Sequence, residues 1–415
     1  MSAQPALGSP HRVLNLLEPA RPRRISAHPA AAWLAVGTVC VGAFLGQLTA
    51  SIVSVALPGL AGDLHVGTAA ASWISLSYLL TLVVLVAPLG ARSDALGRKG
   101  LYVGGFAVFT VATLGCALAP DLPVLCALRV VQAVGAALLQ ANSVALIAGS
   151  VRRDQLGRAL GLQASAQAVG LAVGPAIGGL LLTVGSWRLL FAATVPLGAI
   201  GMVTGLLLLP RSRDLGPRRG GPLRRSPLLR DAVVVRGLLI GLTVFFVLFG
   251  VMVEVPIWLV GTRRATVSGA SLLLTGLPVG VALGAPWSSR LARRPAAGLL
   301  LAAAGVAALA LRPVGVLLVL VLALVGVGAG LCLPANTAAV MARVPAPMAG
   351  AASGLLNLAR GLGTAGGTAA AALAVSAARG AGAALVPVVG VLCLVAVAAA
   401  TLGPGPGTRR GRMDG

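Results

Sequence analysis

The sequence predicts an all-α, polytopic membrane protein of twelve transmembrane helices arranged as two six-helix bundles. Three observations predict it. Hydrophobic residues make up 58% of the 415 residues and charged residues only 10%, with a mean hydropathy of +0.97. A soluble domain is nearer half apolar and a quarter charged, so the excess apolar surface has to face lipid. Twelve apolar runs, most of them near the roughly 20 residues that cross a bilayer, follow one another between short polar breaks. One break, at the middle of the chain, is long and basic.

The elements follow in order. Residues 1–32 carry Arg12, Arg21, Arg23, Arg24 and several prolines and read as a disordered cytoplasmic arm. The first bundle, 33–209, has spans at about 33–58, 70–90, 100–119, 122–147, 158–182 and 187–209. The first run is too long for a signal-peptide core and has no clear cleavage site, so it reads as a retained helix. Residues 210–236, rich in Arg, Gly and Pro, form a cytoplasmic linker. The second bundle, 237–402, has spans at about 237–260, 267–289, 296–311, 314–341, 349–377 and 382–402, and a cytoplasmic tail closes the chain over 403–415.

The charge pattern sets the orientation. The 32 basic residues against 9 acidic ones are not one patch, and aromatics for base stacking are scarce, which argues against nucleic-acid binding. With both termini inside, the inner loops and tails hold 25 basic residues and the outer loops hold five: Arg188, Arg263, Arg264, Arg312 and Arg379. Cytoplasmic loops collect Arg and Lys, so this bias predicts cytoplasmic termini in the cell (inner) membrane, and it supports the span count as well. Six spans, a basic linker and six spans suggest two bundles facing one another across a central path. The five cysteines lie in apolar runs without CxxC spacing and read as small hydrophobes.

Motifs then carry a resemblance. Between spans 2 and 3 the chain reads Gly90-Ala-Arg-Ser-Asp94-Ala-Leu-Gly97-Arg98-Lys99. This resembles the G-x-x-x-D-x-x-G-R-K signature of the major facilitator superfamily. Gly90 and Gly97 permit a tight turn, Asp94 can complement a helix N-terminus, and Arg98 and Lys99 hold the loop inside. Arg129-Val-Val-Gln132-Ala-Val-Gly135 in span 4 is similar to the family's R-x-x-Q-G-x-G stretch, with Ala133 for the first glycine. In span 5, Gly170, Gly174, Pro175, Gly178 and Gly179 match the G-x-x-x-G-P-x-x-G-G antiporter motif. Its small residues at spacings of four let helices approach closely, and its proline can kink the helix. Trp73 with Tyr78-Leu79-Leu80, Trp187-Arg188, and Gly350 through Gly367 with Asn357 and Arg360 resemble the multidrug-efflux branch that usually has 14 helices. The linker here stands in place of two central helices, leaving the major facilitator fold of 12.

The resemblance implies a secondary active transporter that exports small amphipathic or cationic compounds, such as a drug or antibiotic, in exchange for protons by alternating access. Its partners are a small-molecule substrate, protons and the lipid bilayer, with no nucleic acid, no cofactor, no metal and no oligomer implied. The alternatives are a same-fold carrier of another metabolite, uncoupled from protons, and a non-transporting sensor or scaffold. One departure favours the uncoupled carrier: the branch opens span 1 with L-D-x-T-I-V-N-V-A-L-P, whereas this chain has Thr49 for the acid and Ser54 for the asparagine. A hydroxyl does not exchange a proton near neutral pH.

An ionisable group inside a membrane is a functional candidate. Of the nine acids only Glu254 lies well inside a predicted span, and Arg129 lies at similar depth in span 4. The expectation is that Glu254 exchanges the proton with Arg129 nearby, the resemblance placing spans 1, 4, 7 and 10 around the cavity. Thr49, Ser54, Gln132, Gln163, Gln167, Trp258, Asn336, Asn357 and Arg360 are candidates to line that cavity, although polar side chains also bridge helices and Trp73, Trp187 and Trp258 also suit the membrane interface. No P-loop is present, and the spans hold no His, Asp or Cys constellation suited to catalysis, so an enzyme is not expected.

Overall fold

A computed structural model describes residues 18, 21–66, 68–71, 73–211, 227–263, 272–288, 290, 295–345 and 348–377. Span 12, the tail and most of the linker lie outside the described residues. Among the described residues the regular structure is helical: α1 (Ala31–Asp63), α2 (Trp73–Leu96), α3 (Arg98–Leu118), α4 (Leu122–Ser150), α5 (Leu156–Val184), α6 (Arg188–Leu208, broken at 193–194), α7 (Ala232–Arg263), α8 (Leu272–Trp287), α9 (Ala296–Leu309), α10 (Gly315–Arg343) and α11 (Ala349–Ala377). Seven of them, α1 to α4, α6, α7 and α10, are long and apolar enough to cross a membrane, and α8 and α9 are shorter apolar helices. These helices fall on the first eleven predicted spans.

Local chemistry sets their ends. Asp121 accepts a 2.9 Å hydrogen bond from Val124 N–H, capping α4, and Asp231 accepts one of 2.7 Å from Val233 N–H at the start of α7, so each satisfies an otherwise orphaned donor. The α2–α3 junction differs from the sequence expectation. Helix continues through Gly90 to Leu96, because residues 91–96 contain no breaker, and Ser93 Oγ donates back to Gly90 O at 2.7 Å. The turn is confined to Gly97, whose φ of 104° suits glycine. Residues 23–26, within the arm expected to be disordered, form a short helix.

Packing shows two related halves. In the first, α1 lies along α5, α3 along α4 and α2 along α4; in the second, α7 lies along α11, α9 along α10 and α8 along α10. Each pairing recurs six helices later. The halves meet chiefly through α2 against α11 and α5 against α8, which exchange under the same six-helix shift. One core cluster joins the halves. Beside Leu228 of the linker, the second half contributes to its buried residues Val234 of α7 and Val340, Met341, Ala349, Ala351, Ala352 and Leu356, at the ends of α7, α10 and α11 nearest the Gly97 turn and its basic residues. The cluster at the far end of the first half, including Ile52, Leu60, Ile74, Trp187 and Phe191, is built from that half alone. The main cluster of the second half is likewise its own. The halves are therefore closed together at the basic-loop end.

Candidate functional site

The closed end is stitched by polar contacts between halves. Asn357 Nδ2 on α11 donates to Gln140 O on α4 at 2.8 Å, and Ser165 Oγ on α5 donates to Ala282 O on α8 at 3.1 Å. Glycines permit the approach: a methyl on Gly161 would strike Ala285 O at 2.5 Å, and one on Gly354 would meet Val86 O at 3.1 Å. All four contacts lie in the halves of their helices nearer the basic loops, and they form the floor of the space between the bundles.

Arg129 is buried inside the first half, 1% exposed. Its Nε donates to Ile74 O at 3.0 Å, Nη1 donates to Gln132 Oε1 at 2.5 Å, and the guanidinium carbon lies 4.3 Å from the Tyr78 ring centre. Gln132 Nε2 passes the chain on to Thr113 Oγ1 at 2.6 Å, and Thr113 donates to Phe109 O. Four consecutive groups across α2, α3 and α4 therefore hold one buried cation through backbone and amide oxygens and an aromatic face. Tyr78 stood in the sequence resemblance; Thr113 gave no signal beyond being a hydroxyl in an apolar run.

Glu254 is buried on α7, 7% exposed, and makes no ion pair or hydrogen bond among the described residues. The structure does not join it to Arg129, whose donors are engaged within the first half. Arg360 on α11 donates from Nη2 to Thr337 Oγ1 of α10 at 2.7 Å and lies 5.8 Å from the Phe245 ring centre of α7. Asn336 Nδ2 donates to Gly237 O at 2.9 Å, tying α10 to α7. Gln163 is buried and Gln167 partly buried on α5, and Trp258 is partly buried against the second core.

The antiporter motif acts as a packing surface. Gly170, Gly174 and Gly178 line the face of α5 that lies on α1: an added methyl would strike Phe44 O at Gly170 and Ser51 Oγ at Gly174, and would meet Ile52 O at 3.6 Å at Gly178. Ser51 Oγ, unnoticed in the sequence, donates to Gly170 O across this seam at 3.3 Å. Thr49 is buried with its hydroxyl unpartnered. The Ser54, Asp94 and Pro175 side chains and the surroundings of Gly179 lie outside what the structure describes.

At the basic-loop end, Lys99 is fully buried and donates from Nζ to Leu206 O at 2.7 Å and Leu209 O at 2.9 Å, the last carbonyls of α6. The sequence placed Lys99 among the charges that hold this loop inside; here its ammonium caps a helix C-terminus and complements its dipole. Glu18 Oε1 accepts from Gly100 N–H at 3.2 Å at the start of α3, and Arg21 donates to Leu208 O. Trp187 also departs from the interface-anchor reading. The break before α6 turns its ring inward, 1% exposed, edge-on to Phe191 at 6.1 Å.

Comparison with known proteins agrees with this geometry. The family model described as Major Facilitator Superfamily matches residues 39–368. The multidrug resistance protein Stp of Mycobacterium tuberculosis (strain CDC 1551 / Oshkosh) is 28% identical over 396 residues, covering 79% of this chain and 73% of that protein. The tetracenomycin C resistance and export protein of Streptomyces glaucescens is 29% identical over 56% of this chain and 41% of its own length. The riboflavin transporter RibZ of Clostridioides difficile is 29% identical over 43% of this chain, which spans 39% of that relative. The crystal structure of the human organic anion transporter MFSD10 superposes with a TM-score of 0.74 at 15% identity, covering 89% of this chain and 99% of that one.

Proposed function

The chain belongs to the Major Facilitator Superfamily, a multi-pass membrane transporter rather than an enzyme, and from that premise we propose that it exports small amphipathic or cationic compounds, drugs or antibiotics among them, in exchange for protons. In this reading twelve helices cross the cell membrane, both termini are cytoplasmic, and the contacts at the basic-loop end form a cytoplasmic gate. The observation that carries it is that the one core cluster shared by the halves lies at one end, where Asn357–Gln140 and Ser165–Ala282 shut one side of a two-bundle assembly whose halves keep separate cores elsewhere. Rocking the halves about this seam exposes a central site to one face and then the other, the mode of such paired repeats.

Export is supported by the antiporter seam of Gly170, Gly174 and Gly178 on α1 and by relatives named for multidrug resistance and for tetracenomycin C resistance and export. Glu254 is the proton-exchanging group, an unpaired carboxyl that a proton and a cationic substrate contest, and Arg129 is a fixed charge that organises the first half. One observation favours a second reading, a carrier uncoupled from protons: Thr49, buried and unpartnered, occupies the place of the branch's usual acid. Everted vesicles separate the two. Uptake of ethidium that collapses on adding an uncoupler supports antiport, whereas uptake indifferent to the uncoupler supports the uncoupled carrier.

A further inference from the structure

The two arginines that lie within helical spans, Arg129, which is buried, and Arg360, which is partly buried, are treated differently by the fold. Arg129 has a backbone carbonyl, an amide oxygen and an aromatic face close around it. Arg360 has one hydroxyl, Thr337 Oγ1, and the Phe245 ring at longer range. A guanidinium presents five N–H donors in a planar fork, and here a single hydrogen bond is made among the described residues. Nε is buried with no acceptor. Nη1 likewise has no acceptor, yet it is absent from the fully buried unpartnered atoms, so it keeps accessible surface.

Its place in the fold is defined. Arg360 lies three residues beyond Asn357, one of the residues that close the floor, and so about 4.5 Å further into the space between the halves at 1.5 Å per residue. Its neighbour Gly361 faces Val83 of the opposite half, and its own Cγ lies 3.7 Å from the point where a Gly241 methyl would stand. No carboxylate balances it among the described residues. Glu254 is nine residues along α7 from Phe245, about 13.5 Å by helical rise. An uncompensated, under-hydrogen-bonded cation at membrane depth is costly, and groups retained at that cost line substrate paths.

We propose that Arg360 is the anchor for an anionic group, a carboxylate or one of similar shape, on an amphipathic substrate, with the Phe245 ring against the adjoining apolar part. The spare donors match the acceptors of a carboxylate, and no other described group competes for them. The assignment rests on reading the space between the halves as the transport path, and it extends the substrate class from cations to compounds that also carry an anionic group.

The test uses the purified full chain and two probes, a free-acid rhodamine and its methyl ester, which differ only at the carboxyl group. Binding is followed by fluorescence polarisation. Arg360→Gln is expected to weaken binding of the free acid by about tenfold or more, the scale of one hydrogen bond to a charged group. The ester should change by less than about twofold, and Arg360→Lys should fall between, since it keeps charge but loses the fork. Unfolding midpoints of both variants check that they are folded. Equal losses for acid and ester, no loss for either, or no measurable affinity of the wild type for the free acid each overturn the assignment. Uptake of the ester by energised everted vesicles is scored separately. Failure there with acid selectivity intact contradicts the export reading and leaves the anion site standing.

Discussion

Asn357 Nδ2 donates to the backbone carbonyl of Gln140 at 2.8 Å, so that one side chain of the second half holds α4 of the first. The same amide donates to Ser353 O at 3.0 Å within its own helix, which fixes its direction toward α4. Because the acceptor is backbone, the bond depends on the separation of the helices and not on a rotamer of Gln140. In the alternating-access cycle proposed above, it would break when this end opens and reform when it closes.

Asn357→Ala is therefore expected to favour opening at the basic-loop end. Loss of a hydrogen bond of about 1 kcal/mol changes the ratio of closed to open forms by about fivefold. Spin labels on the exposed Arg92 of α2 and Arg343 of α10 report it as a gain in the longer inter-label distance. An unchanged distance distribution removes the bond from the gate.

The α1–α5 seam predicts a graded series. Gly170→Ala and Gly174→Ala drive a methyl into Phe44 O and Ser51 Oγ, and overpacking of this kind costs about 1–3 kcal/mol. Gly178→Ala meets Ile52 O at an ordinary contact distance of 3.6 Å and should be tolerated. Unfolding midpoints in detergent should fall for the first two and hold for the third.

Lys99→Met removes both donors from the end of α6. The loss is about 1.5–3 kcal/mol for each hydrogen bond to a charged group, less the cost of burying the ammonium. Faster amide exchange is expected over the last turn of α6, residues 205–209, and not over α4. Uniform exchange across the first half would show that Lys99 does not act as a local cap.

Arg129→Lys keeps the charge but cannot reach Ile74 O and Gln132 Oε1 together while lying on Tyr78. Transport is expected to fall roughly ten- to hundredfold, matching the loss of one or more hydrogen bonds to a charged group, at an unchanged amount of folded protein in the membrane. Retention of full transport would make the α2–α4 network structural only.

Much of this was readable in the sequence because a bilayer imposes a simple rule. Apolar runs near 20 residues gave eleven of the observed helices to within a few residues, and the small-residue spacing of Gly170, Gly174 and Gly178 announced a close helix contact. Ends were less legible. Gly90 looked like a turn residue, yet residues 91–96 favour helix and carry α2 on to Gly97. Side-chain partners were least legible. Lys99, read as a charge that holds its loop inside, is buried because the last carbonyls of α6 lie within its reach. The pairing of Arg129 with Gln132 follows from an i, i+3 spacing on one helix face, but Thr113 arrives from another helix, and pattern within one segment carries no information about which helices pack together. The contrast between a satisfied Arg129 and an under-satisfied Arg360 is likewise tertiary; both are single arginines in apolar runs.

The central claim is proton-coupled export through Glu254. The direct measurement is luminal pH in acid-loaded everted vesicles on adding cationic substrates, for wild type and Glu254→Gln. The account predicts substrate-triggered alkalinisation of the lumen in the wild type and none in the variant. A variant that alkalinises the lumen as the wild type does contradicts the assignment of the proton to Glu254.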